Sequence, residues 1–345
     1  MLDPKTTTQA PSREVIGTGR LELLAKVASW YFEENLTQTE IAAKTGYSPS
    51  MVSRLLSEAR KCGVVEIRVH HPNERRVDLE QELQSRLGLN MVRVVVRGSL
   101  DHLQMLRRLG RTAARLVEDL AHDNLTIGVA WGPAVHETVN DLRQGTWSNV
   151  HVVQLIGSLG TLEPEADGQE LARRVAHAFA GRYTALPAPL FVESETIRQA
   201  LLKDLPIRRA VDQFRNTELA LVGVGTLDPR RSSLLRYGYL SMSQLEELRD
   251  AGAVGDVCGV YVDIAGKPVD SPLTKRMFGI DADTLMAIPN KIGVAGGESK
   301  ILPIIGASRA RFINILVTDE VAATGILREF REALGQSART DVERT

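Results

Sequence analysis

The chain has 345 residues, of which 43% are hydrophobic and 25% charged, and its formal net charge is -1. Such a chain can bury a sizeable core, so wholesale disorder is excluded, and it holds no run of about 18 apolar residues that would span a membrane. Taken alone, the near-neutral charge argues against a nucleic-acid partner.

The cysteine content and the N-terminal residues bear on the compartment. Cys62 and Cys258 are far apart in the sequence, so we expect neither a disulfide framework nor a CxxC metal site. Residues 1–13 are polar and lack the apolar segment of a secretory signal. These features predict a cytoplasmic protein with no membrane partner.

The N-terminal part of the sequence changes from a polar arm to a helical pattern. Residues 1–19 are rich in Thr, Gln, Pro, Gly and Ser, which predicts a mobile arm. Beyond the arm, apolar residues recur at helical spacing on one face: Leu24, Val27, Ala28 and Tyr31. A short β-rich run follows at residues 64–69, so we expect a first domain over residues 20–72.

Residues 38–56, QTEIAAKTGYSPSMVSRLL, carry the most specific local signal of the sequence. Two short helical patterns flank Gly46, which can adopt a left-handed turn conformation without a steric penalty. Ser48 is a good N-cap, and Pro49 suits the first position of the second helix. The remaining pattern positions are small or apolar: Ile41, Ala42, Val52 and Leu55. This spacing predicts a helix-turn-helix that binds operator DNA.

The second helix of this motif is expected to lie in the major groove, with its first turns at the base edges. Arg54 can pair bidentately with guanine. The other candidate DNA contacts lie at the starts of the two helices and are Thr37, Gln38, Ser48, Ser50, Met51 and Ser53. The alternative is an ordinary helical hairpin with a solvated polar face. Residues 48–61 carry only two more basic than acidic side chains, which favours a homodimer or homotetramer on a two-fold operator.

The rest of the chain alternates between strand and helix patterns. Residues 73–90 predict a connector helix, which either links subunits or packs on its own domain. Residues 91–334 predict a single large domain, followed by a tail over 335–345. The strands are expected at 91–96, 125–130, 150–156, 219–224, 258–264, 292–295 and 312–317. Apolar strands separated by helices indicate a parallel sheet covered on both faces, with ligands at the carboxyl ends of the strands.

Several segments, in the same order, resemble the SorC family of bacterial sugar-responsive regulators. They are SRLLSEARKCGVVEIRV (53–69), IGVAWGPAV (127–135), VVQLIGSLGT (152–161), GAVGDVCGVYVD (252–263), IGVAGGESK (292–300) and NILVTDEVAATGIL (314–327). The resemblance covers about residues 20–333. It implies an N-terminal helix-turn-helix domain and a Rossmann-like parallel-sheet effector domain that resembles sugar-phosphate isomerases and deaminases. It also implies a dimeric or tetrameric regulator of a carbohydrate operon, whose effector is often a phosphorylated sugar.

Two glycine-containing loops are candidate effector sites, since backbone N–H groups at a strand end can cradle a phosphate. The first contains Gly157, Ser158, Gly160 and Thr161, and the second contains Gly296, Gly297 and Lys300. The alternative for each loop is a plain tight turn. Asp319 follows a strand and can accept hydrogen bonds from sugar hydroxyls.

The family resemblance adds roles for three charged positions. It implies that Lys300 contacts the effector phosphate and that Asp256 faces sugar hydroxyls. It also implies a phosphate-binding arginine, for which Arg236 is the best match and Arg230 or Arg231 are alternatives. The first loop reads Gly-Ser where many relatives read Gly-Gly, and Thr184 stands where some sugar-phosphate binders have arginine. Both departures favour a monophosphate, or an unphosphorylated sugar or polyol, over a bisphosphate.

No cofactor, metal or catalytic constellation is recognisable. Residues 223–228 lack the third glycine of a dinucleotide fingerprint, residues 296–301 do not fit a Walker loop, and Asn140 stands where a zinc-protease motif needs histidine. We therefore expect a regulator rather than an enzyme. The alternative is a sugar-phosphate isomerase or deaminase with an accessory DNA-binding module, for which Asp256, Asp319 or Glu320 would be the base.

Overall fold

The computed structural model describes residues 18–65, 75–160 and 167–342, with residues 18 and 334–342 described by backbone alone. The chain divides into two compact units, residues 1–71 and 72–345. Several sequence predictions lie wholly or mostly outside the described residues: most of the arm over 1–19, most of the β-rich run over 64–69, and Thr161.

The first unit contains α1 (Thr18–Phe32), α2 (Gln38–Thr45) and α3 (Pro49–Lys61). Gly46 ends α2 with a φ of 74° in the left-handed region, and Ser48 caps α3 by accepting a hydrogen bond from the Met51 N–H at 3.2 Å. The three helices bury a small apolar core whose members are Leu24, Val27, Ala28, Ile41, Ala42, Val52, Leu55, Leu56 and Ala59. The predicted turn and cap residues therefore have the conformations that a helix-turn-helix requires.

The second unit is built on a parallel sheet. The described strands of this unit are β1 (Met91–Val95), β2 (Thr126–Val129), β3 (His151–Gln154), β4 (Arg182–Thr184), β5 (Leu219–Gly223), β6 (Ala253–Val257), β7 (Val260–Asp263), β8 (Asn290–Val294) and β9 (Ile315–Asp319). Seven of the described strands form one sheet in the order β1-β9-β8-β5-β2-β3-β4, and every neighbouring pair is parallel. The predicted parallel α/β fold is confirmed.

Helices cover both faces of this sheet. They are α4 (Val77–Leu87), α5 (His102–Leu120), α6 (Pro133–Asn140), α7 (Gly168–Ala178), α8 (Glu195–Leu201), α9 (Leu205–Asp212), α10 (Ser233–Arg236), α11 (Met242–Asp250), α12 (Ala282–Ala287), α13 (Ile301–Arg309) and α14 (Glu320–Val342). In β5, Ala220 and Val222 pack into one core cluster, while Leu219 and Leu221 pack into the other. Because both faces are buried, the strands are almost continuously apolar.

The strand predicted over residues 258–264 is wrong in its extent and in its place. Residues 260–263 form β7, which pairs with β6 in a separate antiparallel hairpin. The two strands are joined by Cys258 and Gly259, whose φ angles of 52° and 77° both lie in the left-handed region. Two consecutive residues of this conformation give a tight hairpin turn, so the chain folds back on itself rather than continuing into the large sheet.

Both end segments of the second unit are helical in the structure. The helix expected within residues 73–90 is α4, which packs on β1 of its own unit through the fully buried Leu83. Glu80 on this helix is buried and pairs with Arg75 at 2.5 Å, and it accepts the Val94 N–H at 2.9 Å. At the other end, α14 continues as a helix through residue 342, into the segment expected to be a tail.

Candidate functional sites

A cleft opens at the carboxyl ends of the sheet strands. It encloses about 950 Å³ of empty space, the part open to solvent included. Its lining comes from the segments that follow β2, β5 and β8, and from the β6–β7 hairpin. The chain builds outward from β2 through β3 to β4, and then in the other direction from β5 through β8 to β9. The cleft therefore lies where the strand order reverses, which is the usual ligand site of an open parallel sheet.

The loop after β8 forms one wall of the cleft and depends on two glycines. A β-carbon on Gly296 would lie 2.8 Å from Cδ1 of Leu109, so a larger residue would displace the core beneath the loop. Gly297 has a φ of 90°, which favours glycine, and its N–H donates to Oδ1 of Asp319 at 2.9 Å. These contacts hold the backbone in the turn that brings Lys300 to the cleft.

Lys300 and Asp256 are the two charged groups at the centre of the cleft. The Lys300 ammonium donates to the carbonyl oxygen of Val224 at 2.5 Å. Burial lowers the pKa of Lys300 to about 8, and the attraction of Asp256 opposes this shift. Burial raises the pKa of Asp256, while the Gly259 N–H at 3.0 Å and Lys300 act in the opposite direction. The cleft thus joins a cation that titrates near neutrality with a hydrogen-bond-accepting carboxylate.

A glycine makes room for the Asp256 carboxylate. A β-carbon on Gly225, the residue that follows Val224 after β5, would lie 1.7 Å from Oδ1 of Asp256. The Gly225 N–H also donates to the Asp256 carbonyl oxygen at 2.7 Å. Since any side chain at position 225 would occupy the place of the carboxylate, this strand-end glycine has a clear steric role in the site.

The three candidate arginines after β5 have different surroundings. Arg231 lines the cleft. Arg230 is committed to Asp228, with an Nη2–Oδ2 distance of 3.2 Å. Arg236 lies over the ring of Tyr237 and donates to its hydroxyl at 2.9 Å. The structure thus places Arg231, rather than the expected Arg236, on the wall of the cleft.

His102 also lines the cleft and was not identified from the sequence. It is the first residue of α5, and burial lowers its pKa together with the positive charges of Arg231, Arg97, Lys300 and Arg236. These cations come from segments that follow three different strands. A histidine between a loop and a helix gives no sequence signal of its own, because only the fold brings those loops together.

The loop after β3 differs from the expected phosphate cradle. The N–H groups of Gly157 and Ser158 donate to the carbonyl oxygens of Phe278 and Ala188, at 2.9 and 3.0 Å. The Leu159 N–H donates to the Asp167 carboxylate at 2.6 Å. Because these three donors already have protein acceptors, residues 157–159 support the neighbouring segments instead of presenting N–H groups to a ligand.

Asp319 lies behind the cleft wall rather than on it. The residue is fully buried at the end of β9. Its Oδ1 accepts the N–H groups of Gly297 and Ala322, both at 2.9 Å, and its Oδ2 lies 3.4 Å from Nη1 of Arg97. This carboxylate therefore positions the Gly296–Lys300 loop, and its oxygens are directed at protein groups instead of at ligand hydroxyls.

The helix-turn-helix unit presents the start of α3 at its surface. Ser48, Ser50, Ser53 and Arg54 are exposed and Met51 is half-buried. The Oγ atoms of Ser48 and Ser50 lie 2.9 Å apart. Polar side chains thus cover the exposed side of the first turns of α3, while the opposite side carries the core.

The start of α2 is capped by its own side chains. The Thr37 hydroxyl oxygen accepts the Glu40 N–H at 3.3 Å, and Glu40 accepts the Thr37 N–H at 2.8 Å in return. Thr37 is exposed and Gln38 is half-buried. This capping box fixes the first turn of α2 and keeps its N-terminus at the surface.

One ion pair adjusts the charge of this unit. Glu58, which is the acidic residue of α3, pairs with Arg20 of α1 at 2.6 Å. The hydrogen bonds from Arg20 lower the pKa of Glu58. Since Arg20 neutralises this carboxylate, the basic residues Arg54, Arg60 and Lys61 set the charge of the α3 surface.

Membrane-spanning helices and metal-binding clusters are both absent from the described part of the chain. None of its helices combines the length and the apolar character needed to cross a membrane. Within the same residues, no group of three or more His, Cys, Asp or Glu side chains is placed to hold a metal ion.

A helix-turn-helix unit and a strand-end cleft in one chain define a ligand-responsive DNA-binding protein of the α/β type. Residues 71–328 match the family model described as "Putative sugar-binding domain", and the chain belongs to this family. The resemblance to SorC-type regulators that the sequence motifs indicated is confirmed by the relatives described next.

The relatives match over most of their own length. The chain is 32% identical over 309 residues to the transcriptional regulator LsrR of Enterobacter sp. (strain 638), covering 89% of this chain and 93% of that protein. It is 28% identical over 308 residues to the deoxyribonucleoside regulator of Bacillus subtilis (strain 168), covering 89% and 98%. The crystal structure of the full-length sorbitol operon regulator SorC from Klebsiella pneumoniae superposes with a TM-score of 0.73 at 30% identity, covering 89% and 98%.

Proposed function

We propose that this protein is a DNA-binding transcriptional regulator of a carbohydrate operon, whose operator affinity changes when a sugar-derived effector occupies the cleft. The observation that carries the proposal is the presence, in one chain, of an exposed recognition helix and a cleft that joins Lys300 to Asp256. The names of the relatives, which include sorbitol operon and deoxyribonucleoside regulators, agree with this assignment.

The charges of the cleft favour an effector with one anionic group. Lys300 and Arg231 line it, and Arg97 and Arg236 add positive potential at His102. We assign Lys300 and Arg231 to a phosphate, since ammonium and guanidinium groups both form charge-assisted hydrogen bonds with phosphate oxygens. We assign Asp256 to the hydroxyls of the sugar or polyol part. The N–H groups of Gly157, Ser158, Leu159 and Gly297 donate to protein acceptors, so we assign none of these four to the phosphate.

For the DNA-binding unit, we assign base readout to Arg54 and further DNA contacts to Ser50, Met51 and Ser53 of α3. Thr37, Gln38 and Ser48 lie at helix starts, where N–H groups and small polar side chains suit DNA phosphates. One copy of this surface offers few positive charges. We therefore infer that the protein acts as a homodimer or homotetramer, in which paired recognition helices bind half-sites about 34 Å, or a multiple, apart.

The effector acts only if it binds two arrangements of the protein with different affinity. The test is fluorescence anisotropy of a labelled operator fragment, titrated with full-length protein in the presence of candidate sugars, polyols and sugar phosphates. We expect a sugar monophosphate to change operator affinity about tenfold, a coupling of ordinary size. The matched control is Lys300→Met, which should bind operator DNA normally and lose the response. If no candidate changes operator affinity or assembly state, the effector part of the proposal fails.

The alternative function, a sugar-phosphate isomerase or deaminase, is favoured by one observation. Lys300 and Asp256 interact in the cleft, and a lysine with a pKa of about 8 can transfer protons near neutral pH. The other two candidate bases are committed to the protein, because Asp319 binds backbone N–H groups and Glu320 accepts the N–H groups of Arg97 and Gly98 at 3.0 and 2.9 Å. Turnover of a bound sugar phosphate would establish the enzyme, and binding without turnover would support the regulator.

A further inference from the structure

A second cavity adjoins the effector cleft at the β6–β7 turn. It encloses about 680 Å³ of empty space, the part open to solvent included. Its lining includes Arg198, Asp270, Thr274 and Asp281. Each of these side chains bonds to a neighbouring protein group, and the terminal N–H groups of Arg198 and the remaining lone pairs of the two carboxylates are left to bind hydroxyl groups. The two cavities share a wall, and the residues that line both of them are Cys258, Gly259, Tyr261 and Met277.

The movable part of this wall is the side chain of Met277. A β-carbon on Gly259 would lie 2.3 Å from Cε and 3.2 Å from Sδ of Met277, so the thioether occupies the space above the glycine. Met277 is 6% exposed, and Tyr261 is fixed by its place in β7 and by near-complete burial. The partition between the cavities therefore consists of a two-residue backbone turn and the fixed side chain of Tyr261, together with the one flexible side chain of Met277.

The backbone of Met277 is held firmly, in contrast to its side chain. It forms an antiparallel bridge with Phe191, its N–H donates to the carbonyl of Thr274 at 3.2 Å, and its carbonyl accepts from Nε of Arg198 at 2.6 Å. An unbranched methionine side chain has three rotatable bonds and adapts readily to its surroundings. The Met277 side chain is thus the part of the partition that can move while the backbone keeps its hydrogen bonds.

The wall lies directly beside the carboxylate that we assign to effector hydroxyls. The Gly259 N–H donates to Oδ2 of Asp256 at 3.0 Å, so Asp256 and the turn form one continuous surface. Asp256 lines only the first cavity. The thioether of Met277 occupies the space above Gly259 on the same turn and lines both cavities.

We propose that Met277 is a specificity-determining residue that limits the length of the polyhydroxylated chain accepted by the cleft, and that the second cavity is a subsite for longer chains once this side chain is displaced. The inference rests on the proposed function, because it takes the first cavity as the effector site. The ligand class is a sugar or polyol derivative, whose additional hydroxyls match the polar lining of the second cavity.

The test measures binding of a series of alditol phosphates, from erythritol phosphate to a heptitol phosphate, by isothermal titration calorimetry on the full-length protein. Met277→Ala removes most of the partition. We expect the best-bound member of the series to become at least one carbon longer, with a gain of about tenfold for the longer ligand, the scale of one methylene in a shaped pocket. Met277→Leu retains the side-chain bulk and should keep the wild-type length profile.

A second variant keeps the test possible if Met277→Ala does not fold. If Met277→Ala is too unstable to measure, Met277→Val shortens the same side chain with a smaller loss of volume and should shift the profile in the same direction. An unchanged length profile in the shortened variant overturns the role of Met277 and leaves the proposed function intact. Binding of no member of the series by any form overturns this inference, whereas the operator titration with cyclic sugars still decides the proposed function.

Discussion

Removal of the Asp319 carboxylate tests whether this residue positions the cleft loop or contacts the effector. In Asp319→Ala, the N–H groups of Gly297 and Ala322 lose their acceptor in a fully buried place. A buried donor without a partner costs about 1–3 kcal/mol, and two such donors cost roughly 2–6 kcal/mol. Arg97 is one quarter exposed and loses a partner at 3.4 Å, which adds about 1 kcal/mol or less. We expect a loss of about 4 kcal/mol in the free energy of unfolding.

Two further variants serve as references for the expected loss in the free energy of unfolding. Asp319→Asn keeps a neutral acceptor for both N–H groups, so we expect it to lose about half as much, roughly 2 kcal/mol. Asp250→Ala removes an exposed carboxylate at the end of α11, and its effect should stay within about 0.5 kcal/mol.

The assay is equilibrium urea unfolding followed by circular dichroism, together with effector affinity measured on the folded protein. Because the loop carries Lys300, we expect Asp319→Ala to weaken effector binding as well as stability. The reasoning would be refuted if Asp319→Ala were as stable as Asp250→Ala and yet failed to bind effector, since that result would assign the carboxylate to direct ligand contact.

Three further predictions concern ligand binding and charge. The pKa of Lys300 in the free protein is about 8, so affinity for sulfate, whose charge is constant over this range, should fall as the pH rises above that value; calorimetry from pH 7 to pH 10 should show no such fall in Lys300→Arg. Burial and positive neighbours lower the pKa of His102, so bound sulfate should raise that pKa. Proton NMR of the imidazole, assigned with His102→Gln, should show this rise, and sulfate affinity should increase as the pH falls toward the free-state pKa. An unchanged pKa would contradict a place for His102 beside the anion. Arg54→Ala should lower the preference for operator over scrambled DNA by about 1–3 kcal/mol, whereas Lys26→Ala, which removes a cation beside Trp30, should leave that preference unchanged; equal preference in both variants would remove Arg54 from base readout.

The sequence was most informative where local rules determine the structure. Gly46 and Ser48 occupy the turn and cap positions that their side chains favour, and the apolar runs at β5 and β8 are buried on both faces. These features depend on backbone sterics, on hydrogen bonds between residues close in the sequence and on the pattern of apolar residues along a strand. All three are encoded within a few residues. The helix-turn-helix and the parallel sheet could therefore be predicted before any tertiary contact was known.

The sequence was least informative where the side-chain direction depends on distant segments. Arg230, Arg231 and Arg236 lie within seven residues, and only the fold shows that Arg231 lines the cleft while Arg230 pairs with Asp228. Asp319 was expected at the cleft because it ends a strand, but its carboxylate points at the neighbouring loop. His102 had no signal, since its cationic neighbours belong to other segments of the chain.

Charge pairing separates the basic residues that hold the fold from those that we assign to ligands. Arg20, Arg143 and Arg230 each lie against a carboxylate of their own unit, and such pairs contribute to the near-neutral charge of the chain without offering a site for an anion. Among the described residues, no carboxylate lies within 4.0 Å of the side-chain nitrogens of Arg54 or Lys300. Arg54 therefore keeps its attraction for a DNA phosphate, and Lys300, which Asp256 attracts without forming an ion pair, stays available for the phosphate of a sugar. Net charge therefore says little about partners in this chain, because the two candidate sites depend on a few cations that form no ion pair with an acidic residue.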